Sequence, residues 1–263
     1  AGANPNNYVC FGSTATSCPN DNLYRIIGVF DNKVKLIKST VATSSLLGTN
    51  GGYSTDTTYK WSDLYSCPSD TTAYIQSNNL LMVANKNILA AVPSPEGCNK
   101  WQYSELNNIN LNTNFINNIG SVWSNIIEDT TWKVSANVTK AEYTPSEFYV
   151  EEKRDSSVGT SKVGLINASD YGFAASPSAW TLNLTNYNDT VATSNNWIFI
   201  NVNEWILPSS DFGYVFYLSN TGELPNYGRA NSAYNVRPTL YLKASVKYAG
   251  GLGTKDSPII LEV

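Results

Sequence analysis

Residues 232–245 read SAYNVRPTLYLKAS, and the assignment of this stretch decides the fold. An Arg-Pro pair leads into TLYLK, where apolar and polar residues alternate with the period of a half-buried strand. The expected strand covers 236–248. Arg237 has two readings: it binds a ligand, or it fastens this last strand to the body of the protein. The chain contains no histidine, and of the two readings the sequence supports the fastening role better.

Working outward from that strand, YVFYLSNTGEL (214–224) reads as two strands flanking an Asn-Thr-Gly turn. NYGRANSAYN (226–235) reads as a polar loop, and NNWIFINVNEWILPSS (195–210) as a further strand segment. KVGLINASDYGFAAS (162–176) reads as a strand running into a helical turn, with Asn167, Ser169 or Asp170 available as its cap. Over 111–129, Phe115, Ile116, Ile119, Val122, Trp123, Ile126 and Ile127 recur at spacings of three and four, which predicts an amphipathic helix. Asn and Ser fill its polar positions and are indifferent helix formers, so packing must hold it. LYRIIGVFDNKVKLIKST (23–40) reads as a hairpin turning at Asp31-Asn32. The segment 39–98 is loop-rich, with NILAAV (87–92) as a short strand, and the charged EEKRD (151–155) reads as a solvated loop. No fixed-period repeat or linker divides the chain. The expectation is a single α+β domain over 1–263, with mixed antiparallel sheets and one main helix at about 111–129.

Charged residues make up 14% of the 263 residues, against roughly 25% in ordinary soluble domains. Asn, Ser, Thr and Tyr take their place. Such side chains give adaptable hydrogen bonds and exposed aromatic area, the chemistry of many binding surfaces. An AT-rich coding sequence would enrich the same residues. The net charge of −4 and the lack of any basic run exclude a nucleic-acid partner. No apolar run approaches the roughly 20 residues of a membrane span, so no direct membrane insertion is expected. The chain opens AGANPNNYV without Met, which reads as a processed product with any signal peptide or anchor upstream.

The four cysteines lie at 10, 18, 67 and 98. Seven residues separate Cys10 from Cys18, and Cys67 and Cys98 bracket a segment of their own. We pair Cys10 with Cys18 and Cys67 with Cys98, one of three connectivities, leaving a disulfide-bounded excursion at about 67–98. Zinc does not fit, because no C-x2-C pair and no histidine is present. Disulfides place the protein outside the reducing cytosol.

Without histidine there is no Ser-His-Asp or Cys-His arrangement. No phosphate-binding glycine motif and no D-x-D-x-D-G calcium loop occurs. No catalytic residue, metal or cofactor is therefore expected. The one place where a glycosidase-type carboxylate pair would look credible is Glu204 with Asp211, in an aromatic-rich segment.

Several motifs in order then carry a resemblance: YRIIGVFDNKVKLI (24–37), KVGLINASDYGF (162–173), WILPS (205–209), VFYLSNTG (215–222) and NVRPTLYLK (235–243). Together they span almost the whole chain. The sequence resembles a domain of surface and pilin-associated proteins of Gram-positive gut bacteria. That domain looks like a distant member of the C-type-lectin fold, the group that includes formylglycine-generating-type domains and the variable proteins of diversity-generating retroelements. The resemblance implies that first and last strands pair, and that VRPTLYLK is the closing strand. It also implies that Arg237 pairs with a carboxylate or carbonyls, and that Pro238 takes the first strand position, where no N–H is needed. The calcium and sugar motifs of that fold are absent, ELPN (223–226) being the nearest approach. No cysteine follows Cys98, so the oxidase activity of formylglycine-generating enzymes is not implied.

Residues 201–235 are rich in the amino acids that adenine-directed diversification produces. The expected ligand-binding residues are Trp197, Asn203, Ser209, Asp211, Tyr214, Tyr217, Asn226, Tyr227, Arg229, Asn231 and Tyr234. Trp205, Phe216, Leu218, Val236, Leu240 and Leu242 should form core, with Trp205, Arg237 and Pro238 structural. The implied function is adhesin-like binding of a host or microbial surface protein or glycan at the cell surface. A self-assembling pilus subunit and a histidine-free glycoside hydrolase are the alternatives. On this reading, alanine at Tyr217 or Tyr227 weakens binding without lowering Tm.

Overall fold

The computed structural model describes residues 4–15, 17–64, 74–77, 80–83, 98–134, 142–154, 159–187, 195–210 and 214–263. Asp31 and Asn32 both take positive φ, 49° and 61°, the geometry of a type I′ turn, whose twist matches the strands it joins. They connect β2 (Leu23–Phe30) to β3 (Lys33–Lys38). This is the hairpin expected from the sequence. β1 (Tyr8–Cys10) pairs with the other edge of β2.

The remaining strands are short. They are β4 (Thr58–Lys60), β5 (Tyr74–Ser77), β6 (Leu80–Val83), β7 (Thr130–Thr131), β8 (Thr160–Ser161), β9 (Val163–Gly164) and β10 (Glu204–Ser209). After them come β11 (Tyr214–Leu218), β12 (Gly228–Arg229), β13 (Ala233–Asn235), β14 (Thr239–Tyr241), β15 (Lys247–Gly250) and β16 (Ile260–Glu262). One five-stranded sheet has the order β1-β2-β3-β14-β9 and a second has β12-β11-β10-β13-β4. All pairings in these two sheets are antiparallel except β10 with β13. The architecture is mixed α+β. NYGRANSAYN is therefore not a plain loop, since β12 and β13 come from it. The segment after Asn-Thr-Gly forms no paired strand; its Glu223 carbonyl accepts from Ser219 N–H instead.

Both sheets are buried on two faces. Leu36 of β3, Trp205 and Leu207 of β10, and Val215 of β11 face one apolar cluster, while Ile37, Ile206, Phe216 and Leu218 face another. Period-two alternation thus feeds two cores rather than one core and solvent, which is why all six residues of β10 are buried. The expected core residues Trp205, Phe216, Leu218, Val236, Leu240 and Leu242 are all within 2% of full burial.

VRPTLYLK is not the last strand. β14 lies between β3 and β9, and the chain continues into the β15–β16 hairpin. The two ends do meet, through a later segment: Tyr8 N–H donates to Gly253, Cys10 N–H to Ile259 and Ile259 N–H to Tyr8, at 2.8–2.9 Å. Pro238 just precedes β14, and its carbonyl accepts from Lys38 N–H. Cys10 and Cys18 form a disulfide with Cα atoms 5.8 Å apart. Cys98 is also disulfide-bonded; its expected partner Cys67, like NILAAV, lies outside the described residues.

The helical segment begins and ends earlier than its periodicity suggested. A wide π-helical stretch, Leu106–Phe115, runs into α2 (Ile116–Ser124), after α1 (Ser44–Leu47) and before α3 (Pro145–Arg154) and α4 (Ala168–Ala174). Gly120, at φ 80°, interrupts α2. Ile127 leaves the helix to bridge to Leu242. The asparagines on its polar positions hold the wide turns. Asn112 Nδ2 donates to Asn107 O, five residues back, and to Val163 O, while Asn112 Oδ1 accepts from Val163 N–H. Asn110 donates to Leu47 O and Asn50 O. These long-range amide bonds replace the propensity that the sequence lacks.

EEKRD is not a solvated loop. Residues 151–154 are the last turn of α3, and Glu152 is buried rather than solvated.

Candidate functional site

Arg237 lies just before β14 in one sheet, and Glu204 opens β10 in the other. The guanidinium Nε donates to Glu204 Oε2 at 2.6 Å, Nη2 donates to Glu204 Oε1, and Nη2 also reaches Ile198 O at 2.8 Å. Both side chains are almost wholly buried. Arg237 therefore ties the two sheets together with a forked, fully desolvated pair. Glu204 is spent in that pair, which removes it from the carboxylate couple considered with Asp211; Asp211 lies outside the described residues.

The expected recognition residues separate into three groups. Trp197 is buried, with the Arg25 guanidinium 4.7 Å from its ring centroid and Arg25 Nη1 donating to its carbonyl. Ser209 is buried in β10, and Asn203 braces a turn by accepting from Asn220 N–H. Trp197 and Ser209 do not form surface, because β10 and the segment before it run between the two cores, whereas Asn203 is half-buried in a turn. Tyr214 pairs with Arg229 across β11 and β12, and an odd offset puts Tyr214 on the opposite face of β11 from Tyr217. Asn226 is half-buried and Asn231 exposed in the same loops.

What the structure does bring together is Tyr217, Tyr227 and Tyr234. Tyr217 and Tyr234 lie 4.6 Å apart at 31°, and Tyr227 meets Tyr217 edge-on at 6.1 Å. Tyr234 rests on Trp205 at 4.5 Å, and Trp205 on Trp61 at 6.0 Å. Trp205 is locked in turn by its indole N–H donating to Tyr59 O at 2.7 Å. The result is an aromatic column that starts in the core and ends at Tyr227, which is 62% exposed. Gly228 makes it possible: a Cβ there would lie 2.9 Å from both the Trp205 and Tyr217 rings. Burial, then the neighbouring phenols, pushes the Tyr217 hydroxyl up, and burial does the same for Tyr234. Both stay neutral donors at physiological pH.

A second concave site was not anticipated from the sequence. An open cleft of about 940 Å³ is floored by Lys35, Glu152, Ser169 and Asp170. Phe30, Trp132, Tyr149, Phe173 and Tyr241 are among its walls. Lys35 Nζ contacts Asp170 Oδ2 at 2.5 Å and Asn167 Oδ1 at 3.2 Å. It also lies 5.5–5.9 Å from the ring centroids of Phe30, Trp132 and Tyr241. Burial pulls the ammonium down, but the Asp170 charge, helped by Tyr241, more than offsets this and holds it above the ordinary lysine value. Asp170 doubles as the N-terminal brace of α4, accepting from Asn167 N–H at 2.8 Å. Glu152 accepts from Ser169 N–H at 3.1 Å and from the Ser169 hydroxyl. Burial, assisted by the Asp170 charge, pushes its carboxyl up to about 8. The sequence signal was the S-D pair in the capping position; its partners on β3 and α3 are far away in the chain.

Among the described residues no group of acidic, cysteine or histidine side chains could hold a metal, and no helix is long and apolar enough to cross a membrane. Comparison with family models, curated proteins and solved structures finds no match to this chain.

Proposed function

We propose that this chain is an extracellular binding module of a bacterial surface or pilus-associated protein, with a C-type-lectin-like fold, that engages a protein or glycan through the Tyr227 end of the aromatic column. The supporting observation is the outward Tyr227 ring backed by a stack anchored in the core. A stiff, preorganised aromatic contributes contact area at low entropy cost. The Cys10–Cys18 disulfide fits an oxidising compartment. The diversification implied by the resemblance would act on the segment that carries these tyrosines, and sequencing the codons for 201–235 from independent isolates tests it.

The two tyrosines separate in their expected effects. Tyr227→Ala should abolish ligand retention in a surface-binding assay and leave Tm unchanged. Tyr217 is half-buried against Trp205 and Tyr234, so Tyr217→Ala should also cost on the order of 2 kcal/mol of stability, correcting the expectation of an unchanged Tm. Equal loss of stability in both variants would contradict the assignment.

One observation favours the self-assembling alternative. Tyr248, Leu252 and Ile260 of the β15–β16 hairpin are exposed, at 66%, 76% and 37%, and sheet edges with apolar side chains invite strand addition. If that reading holds, light scattering rises with protein concentration and Leu252→Lys suppresses it. A concentration-independent monomer dismisses it.

A further inference from the structure

Six ion pairs join described residues, and they differ in burial. In Lys33–Glu128, Lys60–Asp63 and Arg154–Glu151 both partners are partly exposed, and Lys38 faces an Asp21 that is 85% exposed. Arg237–Glu204 is buried but has no nucleophilic nitrogen. Lys35–Asp170 alone in this set places a lysine amine on a carboxyl with both side chains buried, at 3% and 6% exposure.

Burial takes both groups out of water, and the contact with Asp170 is what keeps Lys35 in its ammonium form. Moving one proton along the 2.5 Å contact turns ammonium and carboxylate into amine and carboxylic acid with no change in net charge. The fold fixes the partners from two directions. Lys35 is an inward residue of β3, paired to Tyr241 of β14, while Asp170 is held at the start of α4 by the Asn167 N–H. Neighbouring Ser169 is clamped by Glu152 of α3. Two groups held in contact in this way react as if at very high concentration, with effective molarities on the order of 10⁵–10⁸ M for well-oriented pairs.

We infer that Lys35 and Asp170 are joined by a side-chain amide, an intramolecular cross-link formed after folding. The amine Nζ attacks Cγ of Asp170, forming the C–N bond. The Cγ–O bond then breaks, and the oxygen leaves as water, carrying the proton first transferred to the carboxyl and a second from nitrogen. One hydrogen stays on the amide nitrogen. No oxidant, cofactor or second protein is consumed, and the cleft that the pair floors gives the water an exit. The link would lock β3 to α4 across 135 positions of sequence, closing a covalent loop that encloses most of the segments between. It is independent of whether Tyr227 binds a ligand.

The experiment is intact-mass spectrometry of the folded, full chain, before and after disulfide reduction. The expected mass is that of the sequence less one water, beyond the hydrogens lost to disulfides, with a protease digest yielding one branched species that contains Lys35 and Asp170. Lys35→Arg keeps the charge pair but has no amine that can form this amide, so its mass should show no water loss. A wild-type mass equal to the unlinked sequence overturns the inference. So does a water loss that persists in Lys35→Arg, because it would lie elsewhere.

Discussion

Replacing Arg237 with methionine is expected to cost about 3–5 kcal/mol of folding stability, since it strands a buried carboxylate without its partner. Glu204 is 1% exposed, and its two oxygens take the Arg237 fork. Water has no path to replace that pairing. Ile198 O loses its donor as well. Lysine is not a conservative replacement, because a single ammonium satisfies neither both carboxylate oxygens nor the carbonyl, so Arg237→Lys should also lower the denaturation midpoint. The double change to Arg237→Met with Glu204→Leu should recover much of the loss, as hydrophobic replacements of buried pairs do. Urea denaturation of the three variants measures this. A single Arg237→Met variant within about 0.5 kcal/mol of wild type, the range of ordinary surface changes, would return Arg237 to the ligand-binding reading.

The second large effect is a loss of stability with rising pH. The Glu152 carboxyl has an ordinary value of 4.5 and is pushed to about 8 in the folded protein, chiefly by burial, against the hydrogen bonds from Ser169. Between those values the folded state holds a proton that the unfolded chain has released. The Glu152 contribution is therefore complete below the unfolded value and lost as pH climbs through 8, with a slope of at most about 1.4 kcal/mol per pH unit. Thermal melts across that window should show Tm falling, and Glu152→Gln, which carries no charge at any pH, should flatten the decline. A wild-type profile that is level through 8 would mean that Glu152 ionises in place without cost.

The sequence was most informative where local rules act alone. Asp31-Asn32 between alternating β-branched residues specified a I′ turn, and Asn167 to Asp170 specified a helix start. Alternation in NEWILPSS and YVFYL marked strands and the correct core residues. It did not reveal that the strands are buried on both sides, because alternation to two different cores looks the same as alternation to core and water. The helix failed at its ends, where Gly120 and the Ile127–Leu242 bridge override a continuing period. EEKRD misled because charge density suggests solvent. Glu152 is buried only through contact with α4, and no local pattern records that contact. For the same reason the list of surface residues was too broad: composition selected Trp197, Ser209 and Tyr227 alike, and tertiary packing separated them. The Lys35–Asp170 contact was illegible for the plainest reason, a sequence separation of 135.

The most direct test of the binding function is a comparison of wild type and Tyr227→Ala on an immobilised panel of glycans and extracellular proteins, with Tm measured on the same samples. The expected result is retention of wild type on at least one member, its loss in Tyr227→Ala, and equal melting temperatures. Retention that is unchanged by Tyr227→Ala, or no retention of wild type on any member, would contradict it.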